Sequence, residues 1–340
     1  MKRKRVQAAM MVAAVIVAAV FPLVVSNAAI DSVAIFTLMY VAMASAWNIL
    51  GGFTGYVSLG HASFFGVGAY AFTILCHVWH VPGGWITFAM LPVAGVVAAL
   101  IAIPFGWVAL RTRKHTFVVI TIAYLFIFQL LAYNLTGLTN GSAGLGSPIP
   151  SWTGSFFNIP FFYVALALAL IVIAVAAWIR SSRLGLHLLA IRDDEDRALG
   201  LGIKTGRLKL SAFVIAALFI AMAGALYAYY ITYVYPPFAM NPLDDLAMAL
   251  MSFTGGVGTI AGPIIGALLV EPSQQYFTVA FQSGLNLVTY GGLFLVVILL
   301  IPRGLWPTLR DFVASRQSRQ RVPQAPAAET SVLSSEGGGQ

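Results

Sequence analysis

Long stretches without a charged residue dominate the chain. Asp, Glu, Lys and Arg are absent from residues 6–30, 32–110, 115–179, 210–243, 246–270 and 272–302. One membrane-crossing helix takes about 20 apolar residues, so the longest stretches have room for several crossings. Continuous apolar runs are typical of helices, which satisfy their own backbone hydrogen bonds in lipid. The pattern predicts an all-α, polytopic membrane helix bundle.

The basic residues predict how the chain is threaded through the membrane. All 19 Lys and Arg residues lie in four groups, at 2–5, 111–114, 180–209 and 303–321. Positive loops stay in the cytoplasm, so an even number of crossings separates each group from the next. We expect about ten transmembrane helices with both termini in the cytoplasm. Their predicted positions are 7–29, 33–50, 57–79, 86–110, 116–134, 161–179, 210–232, 243–257, 260–280 and 286–301.

Two of these spans, 57–79 and 243–257, are short or rich in glycine, so eight spans with re-entrant segments is the alternative. The topology puts the carboxylates of Asp31, Asp244 and Asp245 on the outer face. The basic N-terminus followed by an apolar run is also typical of a secretory signal peptide. The run at 8–25 is longer than the usual h-region of about 7–15 residues, which favours a retained first helix.

Composition narrows the class of protein further. The chain is 60% hydrophobic and 9% charged, whereas soluble domains carry about 25% charged residues. The net charge is +8, and the basic residues lie at the ends of apolar runs. This placement indicates that they orient the helices in the membrane rather than bind nucleic acid. Cys76 is the one cysteine, so no intrachain disulfide forms. The sequence shows no metal-ligand spacing and no set of catalytic residues.

We expect one transmembrane domain over 1–310 and a disordered cytosolic tail over 311–340.

The long internal polar segment runs from Arg180 to Lys209 and is predicted to lie in water. It holds seven of the 19 basic residues and four of the 11 carboxylates. Apolar residues recur on one helical face, and Gly200 and Gly202 supply a stop. The residues of that face are Leu184, Leu188, Ile191, Ala198 and Leu199. The carboxylates of Asp193–Asp196 suit a helix N-terminus. We predict a short amphipathic helix, either solvated or docked to a soluble subunit.

Two glycine-rich segments, 51–69 and 255–267, both begin Gly-Gly after an apolar run and suggest a diverged internal repeat. Small residues allow close helix packing in lipid. The alternative is a broken helix that lines a pathway, because freed backbone groups need protein or a wet cavity around them. An imidazole inside the bilayer is likewise a functional candidate. The candidate pathway residues are Gly51, Gly52, Gly55, Ser58, Gly60, His61, Gly255 and Gly256.

Several of these segments carry a family resemblance when they are taken in order. The residues at 196–202 are similar to the Glu-Ala-Ala-x-x-x-Gly coupling loop of ATP-binding-cassette importers, with Asp196 and Arg197 in place of Glu and Ala. The ordered set, over roughly 30–310, resembles the LivM-type permeases of branched-chain amino acid importers. Its members are 58–70, 111–121 with the loop 141–150, 190–195 through 202–203, 224–228, and 255–259 through 262–263.

The resemblance implies a permease subunit, not an enzyme, in the bacterial inner membrane. It implies two ATPase subunits, a second homologous permease and an extracytoplasmic substrate-binding protein as partners. The chain has no P-loop motif, so ATP and Mg would bind the ATPase and this chain would need no cofactor. The implied ATPase-coupling residues are Arg192, Asp193, Glu195, Asp196, Arg197, Ala198, Leu199, Gly202 and Ile203. We expect Ala198, Leu199 and Ile203 to enter the ATPase, with the charged residues at the rim.

Two alternatives stay open at this point. A permease of the same family for urea or short amides would share these motifs. An ion-coupled secondary transporter would show intramembrane carboxylates, and in this chain Asp244, Asp245 and Glu271 are expected near span ends.

Overall fold

The computed structural model describes residues 13, 15–24, 27–280, 291–292, 295 and 304–308. Over these ranges the protein is a helix bundle with one short β pairing. The helices are α1 (Val15–Val24), α2 (Ala28–Thr54), α3 (His61–Val78), α4 (Met90–Ala109), α5 (Lys114–Asn134), α6 (Thr136–Thr139), α7 (Asn158–Ser181), α8 (Arg183–Asp193), α9 (Glu195–Gly200), α10 (Thr205–Ile231), α11 (Pro236–Ala239), α12 (Pro242–Gly255) and α13 (Ala261–Ala280). The strands β1 (Leu145–Gly146) and β2 (Tyr233–Val234) pair antiparallel.

Six of the described helices are long and apolar enough to cross a membrane: α2, α3, α4 with the turn before it, α5, α7 and α10. They agree with the predicted spans at 33–50, 57–79, 86–110, 116–134, 161–179 and 210–232. The predicted count of about ten is not confirmed, and neither is the side on which the termini lie. The predicted last span, 286–301, falls mostly outside the described residues, and the predicted tail over 311–340 lies wholly outside them.

The predicted span at 243–257 is a half-length helix. Helix α12 has 14 residues, which corresponds to about 21 Å against a hydrocarbon core of about 30 Å. Asn241 caps its start by accepting a hydrogen bond from the Leu243 amide, and Pro242 occupies the first turn. At this position the re-entrant alternative fits better than a full crossing.

Helix α13 matches the predicted span 260–280, but its second half carries Glu271 and two glutamines.

Local sequence determines where α2, one of the two 27-residue helices, starts and stops. Helix α2 begins after Asn27, whose side chain accepts a hydrogen bond from the Ala29 amide at 3.0 Å. It ends at Gly55, which adopts φ 73°, a left-handed conformation that favours glycine. The 27 residues between make a helix about 40 Å long.

The centre of the bundle consists of α2, α3 and α10, with α4, α7, α12 and α13 packed around them. Glycines let α3 and α10 approach closely. A Cβ atom added at Gly68 would lie 2.1 Å from the Ala221 carbonyl oxygen. One added at Gly224 would lie 2.0 Å from the Phe65 carbonyl oxygen. The two helices therefore touch backbone to backbone, which is the usual use of glycine between membrane helices.

The two ends of the bundle differ in chemistry. We call one the basic end, because the side chains of Lys114, Arg180 and Arg192 lie together there with the last turn of α2. The opposite, far end holds the start of α2 and an aromatic cluster around Trp152. Aromatic rings of this kind are enriched at membrane interfaces. Ser147, from the glycine-rich loop after α5, hydrogen-bonds Thr73 at 2.6 Å and orders that loop over the far end.

Candidate functional site

Two arginines tie the polar segment to the glycine-rich segments, and one lysine ties it to α5. The Arg192 guanidinium donates to the Gly52 carbonyl at 2.9 Å, and that of Arg180 donates to the Gly258 carbonyl at 2.5 Å. The Lys114 ammonium donates to the Arg192 carbonyl at 3.2 Å. Carbonyls in the last turn of a helix have no partner within it, and cations there are favoured by the helix dipole. The polar segment is thereby fastened to α2 and to the turn between α12 and α13.

Asn48 joins the two glycine-rich segments directly. Its side chain accepts a hydrogen bond from the Gly258 amide at 2.7 Å and donates one to the Thr259 carbonyl at 2.8 Å. A Cβ atom at Gly52 would lie 2.7 Å from the Gly258 nitrogen, and one at Gly255 would lie 1.7 Å from a carbonyl oxygen of α13. Close packing is therefore confirmed at Gly52 and Gly255. A pathway role for them stays a prediction.

The chain is irregular between α2 and α3, and side chains satisfy its backbone. The Trp47 indole donates to the Ser58 carbonyl at 2.8 Å, and the Leu59 amide donates to the Thr121 hydroxyl at 3.1 Å. A Cβ atom at Gly60 would lie 2.2 Å from the Thr121 carbonyl oxygen. Thr121 is seven residues into α5, about 10 Å from its start at the basic end. Helix α3 therefore starts inside the bundle, as a broken-helix segment would.

His61 and Ala62 form the buried start of α3. The His61 ring is fully buried, with its centroid 5.0 Å from the Phe213 ring and 6.1 Å from that of Phe64. Both carboxylate oxygens of Asp245, on α12, accept a hydrogen bond from the Ala62 amide at 3.1 Å. A carboxylate at a helix N-terminus satisfies an amide and complements the helix dipole. Asp245 therefore caps α3 inside the bundle.

Glu195 and Lys209 form an ion pair near Lys114, at the basic end of the bundle. Their Nζ–Oε1 distance is 2.5 Å, and the side chains are 21% and 4% exposed. The Lys209 ammonium also donates to the Tyr56 hydroxyl at 3.0 Å, and that hydroxyl donates to the second Glu195 oxygen. Burial raises the pKa of Glu195, but the hydrogen bonds from Lys209 and Tyr56 and the lysine charge outweigh it and lower the pKa below its usual value. Burial and the neighbouring carboxylate raise the pKa of Tyr56.

These contacts correct two predictions. Lys209 was expected in water as the end of the polar segment, but it is buried because the bundle supplies it with an anion and a hydroxyl. Glu195 was expected at the rim of a partner interface, but its carboxylate is held within this chain.

The polar segment forms two helices rather than one. Helix α8 ends and α9 begins at Asp194, whose side chain accepts a hydrogen bond from the Arg197 amide at 3.0 Å. The prediction that these carboxylates suit a helix N-terminus is confirmed at Asp194. Arg197 also pairs with Asp194, at 2.9 Å between Nε and Oδ2. The break changes which side chains point outwards.

Burial within α8 and α9 follows the predicted face only in part. Leu188, Ile191 and Ala198 of the predicted apolar face are buried, whereas Leu199 is 52% exposed and Leu201 is 81% exposed. Ala198 packs in the chain's own core rather than facing outwards, and its part in ATPase coupling stays a prediction. Leu201, which follows α9 directly and is not among the predicted coupling residues, is the most exposed apolar side chain of this region. The other implied coupling residues that are exposed are Asp193, Asp196, Arg197 and Gly202, while Arg192 and Ile203 are half-buried.

A cavity of about 250 Å³ lies in the middle of the bundle. The Tyr40 hydroxyl donates to Asp244 at 3.0 Å, and Tyr40 is 12 residues into α2. Tyr40 therefore lies about 18 Å from either end of α2, to within a turn. The prediction that Asp244 and Asp245 lie on the outer face is therefore wrong. The first turn of α12 carries both carboxylates inwards.

The cavity walls combine polar and apolar side chains. They are Phe36, Met39, Tyr40, Met43, Phe65, Tyr227, Phe238, Asn241, Asp244, Glu271, Gln274 and Gln275. None of the eight candidate pathway residues is among them. A signal for the polar half was present in the sequence, because Asp244, Asp245 and Glu271 are the only charged residues between 210 and 302. Intramembrane carboxylates are functional candidates by default.

Comparison with known proteins assigns the family. Residues 29–302 match the profile described as branched-chain amino acid transport system, permease component. The chain therefore belongs to this family of multi-pass membrane permeases. The high-affinity branched-chain amino acid transport system permease protein LivM of Escherichia coli K12 is 28% identical over 93% of this chain and 78% of its own length.

Two further relatives match, one with the same printed function and one with another. The high-affinity branched-chain amino acid transport system permease protein LivH of Salmonella typhimurium LT2 is 26% identical over 78% of this chain and 90% of its own length. The ribose import permease protein RbsC of Bacillus subtilis 168 is 27% identical over 44% of this chain and 47% of its own length. No solved structure matches the chain.

Proposed function

We propose that this chain is the membrane-spanning permease subunit of an ATP-binding-cassette importer for branched-chain amino acids. It provides the route across the inner membrane of a bacterium and works with two ATPase subunits, a second homologous permease and an external binding protein. ATP and Mg bind the ATPase. The family supports the class of transporter, and the basic end supports the coupling to a separate ATPase.

The proposal depends on one observation: α9 and the residue after it expose apolar side chains, while α9 itself is bound to the bundle by an ion pair. Leu199 and Leu201 are 52% and 81% exposed, which suits an apolar contact with a soluble partner. The same turn is fixed to the bundle, since Glu195 pairs with Lys209 of α10 at 2.5 Å. A partner that pulls on α9 therefore moves α10, and through Arg192 it moves α2 as well. Motion at the ATPase would reach the helices in this way.

The experiment compares Leu201→Glu with Leu201→Met, which keeps an apolar side chain of similar size. The complex is assembled in proteoliposomes with its ATPase and loaded binding protein. We expect Leu201→Glu to reduce ATPase association and ATP-driven leucine uptake by about tenfold or more, as at an interface hot spot. Leu201→Met should act like the wild type. Leucine uptake that continues without any ATPase would overturn the proposal.

A second candidate function has an observation in its favour. The carboxylates of Asp244 and Glu271 line a cavity inside the bundle, which is what an ion-coupled secondary transporter would need. The same proteoliposomes separate the two. Uptake that stops when sodium and proton gradients are collapsed, with ATP still present, would favour the ion-coupled transporter. Uptake that needs ATP and ignores the gradients favours the importer.

A further inference from the structure

The carboxylate and amide acceptors of the mid-bundle cavity lie at the start of α12 and on α13. Glu271 is 1% exposed, and its Oε1 accepts a hydrogen bond from the Gln275 amide group at 2.9 Å. Its Oε2 and the Oε1 of Gln274 are buried and have no partner among the residues that the structure describes. Both side chains line the cavity with Asp244 and Asn241. A buried acceptor without a donor is costly, so this wall suits a ligand that brings donors.

The charge of the cavity has one sign. Asp244 and Glu271 contribute carboxylates, and no Lys, Arg or His is found among the lining residues of the described chain. Tyr40 donates one hydrogen bond to Asp244, at 3.0 Å, but supplies no charge. An ammonium group supplies three donors and a positive charge, and hydrogen bonds between ionised groups are the strong ones.

The apolar lining residues and the volume argue against a bare metal cation. Phe36, Met39, Met43, Phe65 and Phe238 give the cavity a carbon surface that comes from α2, α3 and α11. A volume of about 250 Å³ approaches the roughly 300–1,000 Å³ of small-molecule pockets. A monovalent metal ion is coordinated by oxygens on all sides, and carbon atoms cannot coordinate it. An aliphatic amine with a short side chain uses both halves of the cavity.

We propose that this cavity is a transit site for the substrate, in which Glu271 and Asp244 bind the α-ammonium group of an aliphatic amino acid. The aliphatic side chain packs on the Phe and Met wall, and Gln274 and Asn241 complete the polar half. The inference rests on the proposed function for the identity of the substrate, since any small aliphatic ammonium compound would satisfy the site.

The first test removes one charge at a time and keeps the shape of the side chain. Glu271→Gln and Asp244→Asn are compared with Asp31→Asn. Asp31 is the matched control, because it is also a buried carboxylate with an oxygen that lacks a partner in the described part of the chain, and it does not line the cavity. In the full transporter, both cavity variants should lower leucine uptake about tenfold or more. Assembly with the ATPase and basal ATP hydrolysis should not change, and Asp31→Asn should transport normally.

The second test identifies the group that is recognised. Radiolabelled leucine is bound to the purified transporter in nanodiscs without the binding protein, which would otherwise select the ligand. Leucinamide keeps the ammonium group and lacks the carboxylate, whereas 4-methylpentanoate has the carboxylate and lacks the ammonium group. Leucine and leucinamide should compete, and 4-methylpentanoate should not. Binding to Glu271→Gln should be weaker by about tenfold or more.

Three results would overturn the proposal. They are equal competition by 4-methylpentanoate, no saturable leucine binding by the wild type, and cavity variants that transport as well as Asp31→Asn. A change in dependence on sodium or proton gradients without a change in leucine binding would assign the carboxylates to ion coupling instead. If wild-type uptake does not need the ATPase, the proposed function fails separately, and the binding result still decides the cavity.

Discussion

At the scale of single residues, the ion pair of Glu195 and Lys209 shows how a charge can be buried beside an apolar bundle. Lys209 is 4% exposed and has three oxygen partners, the Glu195 carboxylate at 2.5 Å, the Tyr56 hydroxyl at 3.0 Å and the Leu110 carbonyl at 3.5 Å. Removing one partner of a buried pair leaves an uncompensated charge, whereas removing both can be nearly neutral. We therefore expect the loss of one partner to destabilise the protein more than the loss of both.

Lys209→Met should reduce the free energy of unfolding by roughly 3 kcal/mol, the lower end for a buried pair because Glu195 keeps partial exposure. The double variant Glu195→Gln with Lys209→Met should recover most of the loss. Chemical unfolding in detergent, followed by tryptophan fluorescence, measures both. Arg113→Met is the control, because the Arg113–Asp196 pair is 3.9 Å apart and exposed at both ends. Equal stability of Lys209→Met and Arg113→Met would contradict the prediction.

The same pair carries a pH dependence. The pKa of Glu195 is lowered in the folded protein, so the stabilisation is present above its unfolded value of about 4.3. It is lost as the pH falls from there through the folded pKa. The acid loss of stability should be smaller in Lys209→Met, whose Glu195 has no ammonium partner.

At the scale of elements, the contact between α3 and α10 depends on two glycines that face the partner's backbone. Gly224 lies against Phe65, and Gly68 lies against Ala221. A methyl group at either position meets a carbonyl oxygen that a side-chain rotation cannot move. The helices would have to separate.

Gly224→Ala should destabilise the bundle by about 1–3 kcal/mol, the usual range for overpacking. Gly206→Ala, on the same helix, is the matched control, because an added Cβ there has no atom within 4 Å. It should be neutral or stabilising by up to about 1 kcal/mol, since alanine favours helix over glycine. The midpoint of thermal unfolding in detergent compares the two. A control as unstable as Gly224→Ala would point to helix propensity rather than packing.

At the scale of the whole molecule, Lys114 at the start of α5, Arg180 at the end of α7 and Arg192 at the end of α8 come together at one end. This grouping is what the positive-inside rule expects of a cytoplasmic face. The far end brings the start of α2, the end of α10 and the glycine-rich loop together. The orientation of these two ends in the membrane stays a prediction.

Cysteine labelling tests the orientation directly. Leu201→Cys, at the basic end, should react with an impermeant maleimide only from the cytoplasmic side, and Ser151→Cys, at the far end, only from outside. Cys76 is 2% exposed and gives a low background without being replaced. Labelling of both positions from the same side would contradict the topology.

Much of the membrane architecture could be predicted from the sequence, because span length and charge placement are one-dimensional properties. The spans that became α2, α5, α7 and α10 needed only apolar length. Burial of Leu188 and Ile191 followed from helical periodicity within α8. The outward turn of Leu199 is not predicted, because the periodicity extends over 184–199 as one helix, whereas the structure starts a new helix after Asp194.

Apolar length, charge placement and motifs are enough to predict a membrane helix bundle with a long polar segment, and its family. The inward position of Asp244, Asp245 and Glu271 follows only from contacts between distant elements. Their neighbours along the chain are loops and span ends, which suggested a wet surface. The donors and apolar walls that surround them come from α2, α3 and α10, tens to hundreds of residues away, and only folding brings these together.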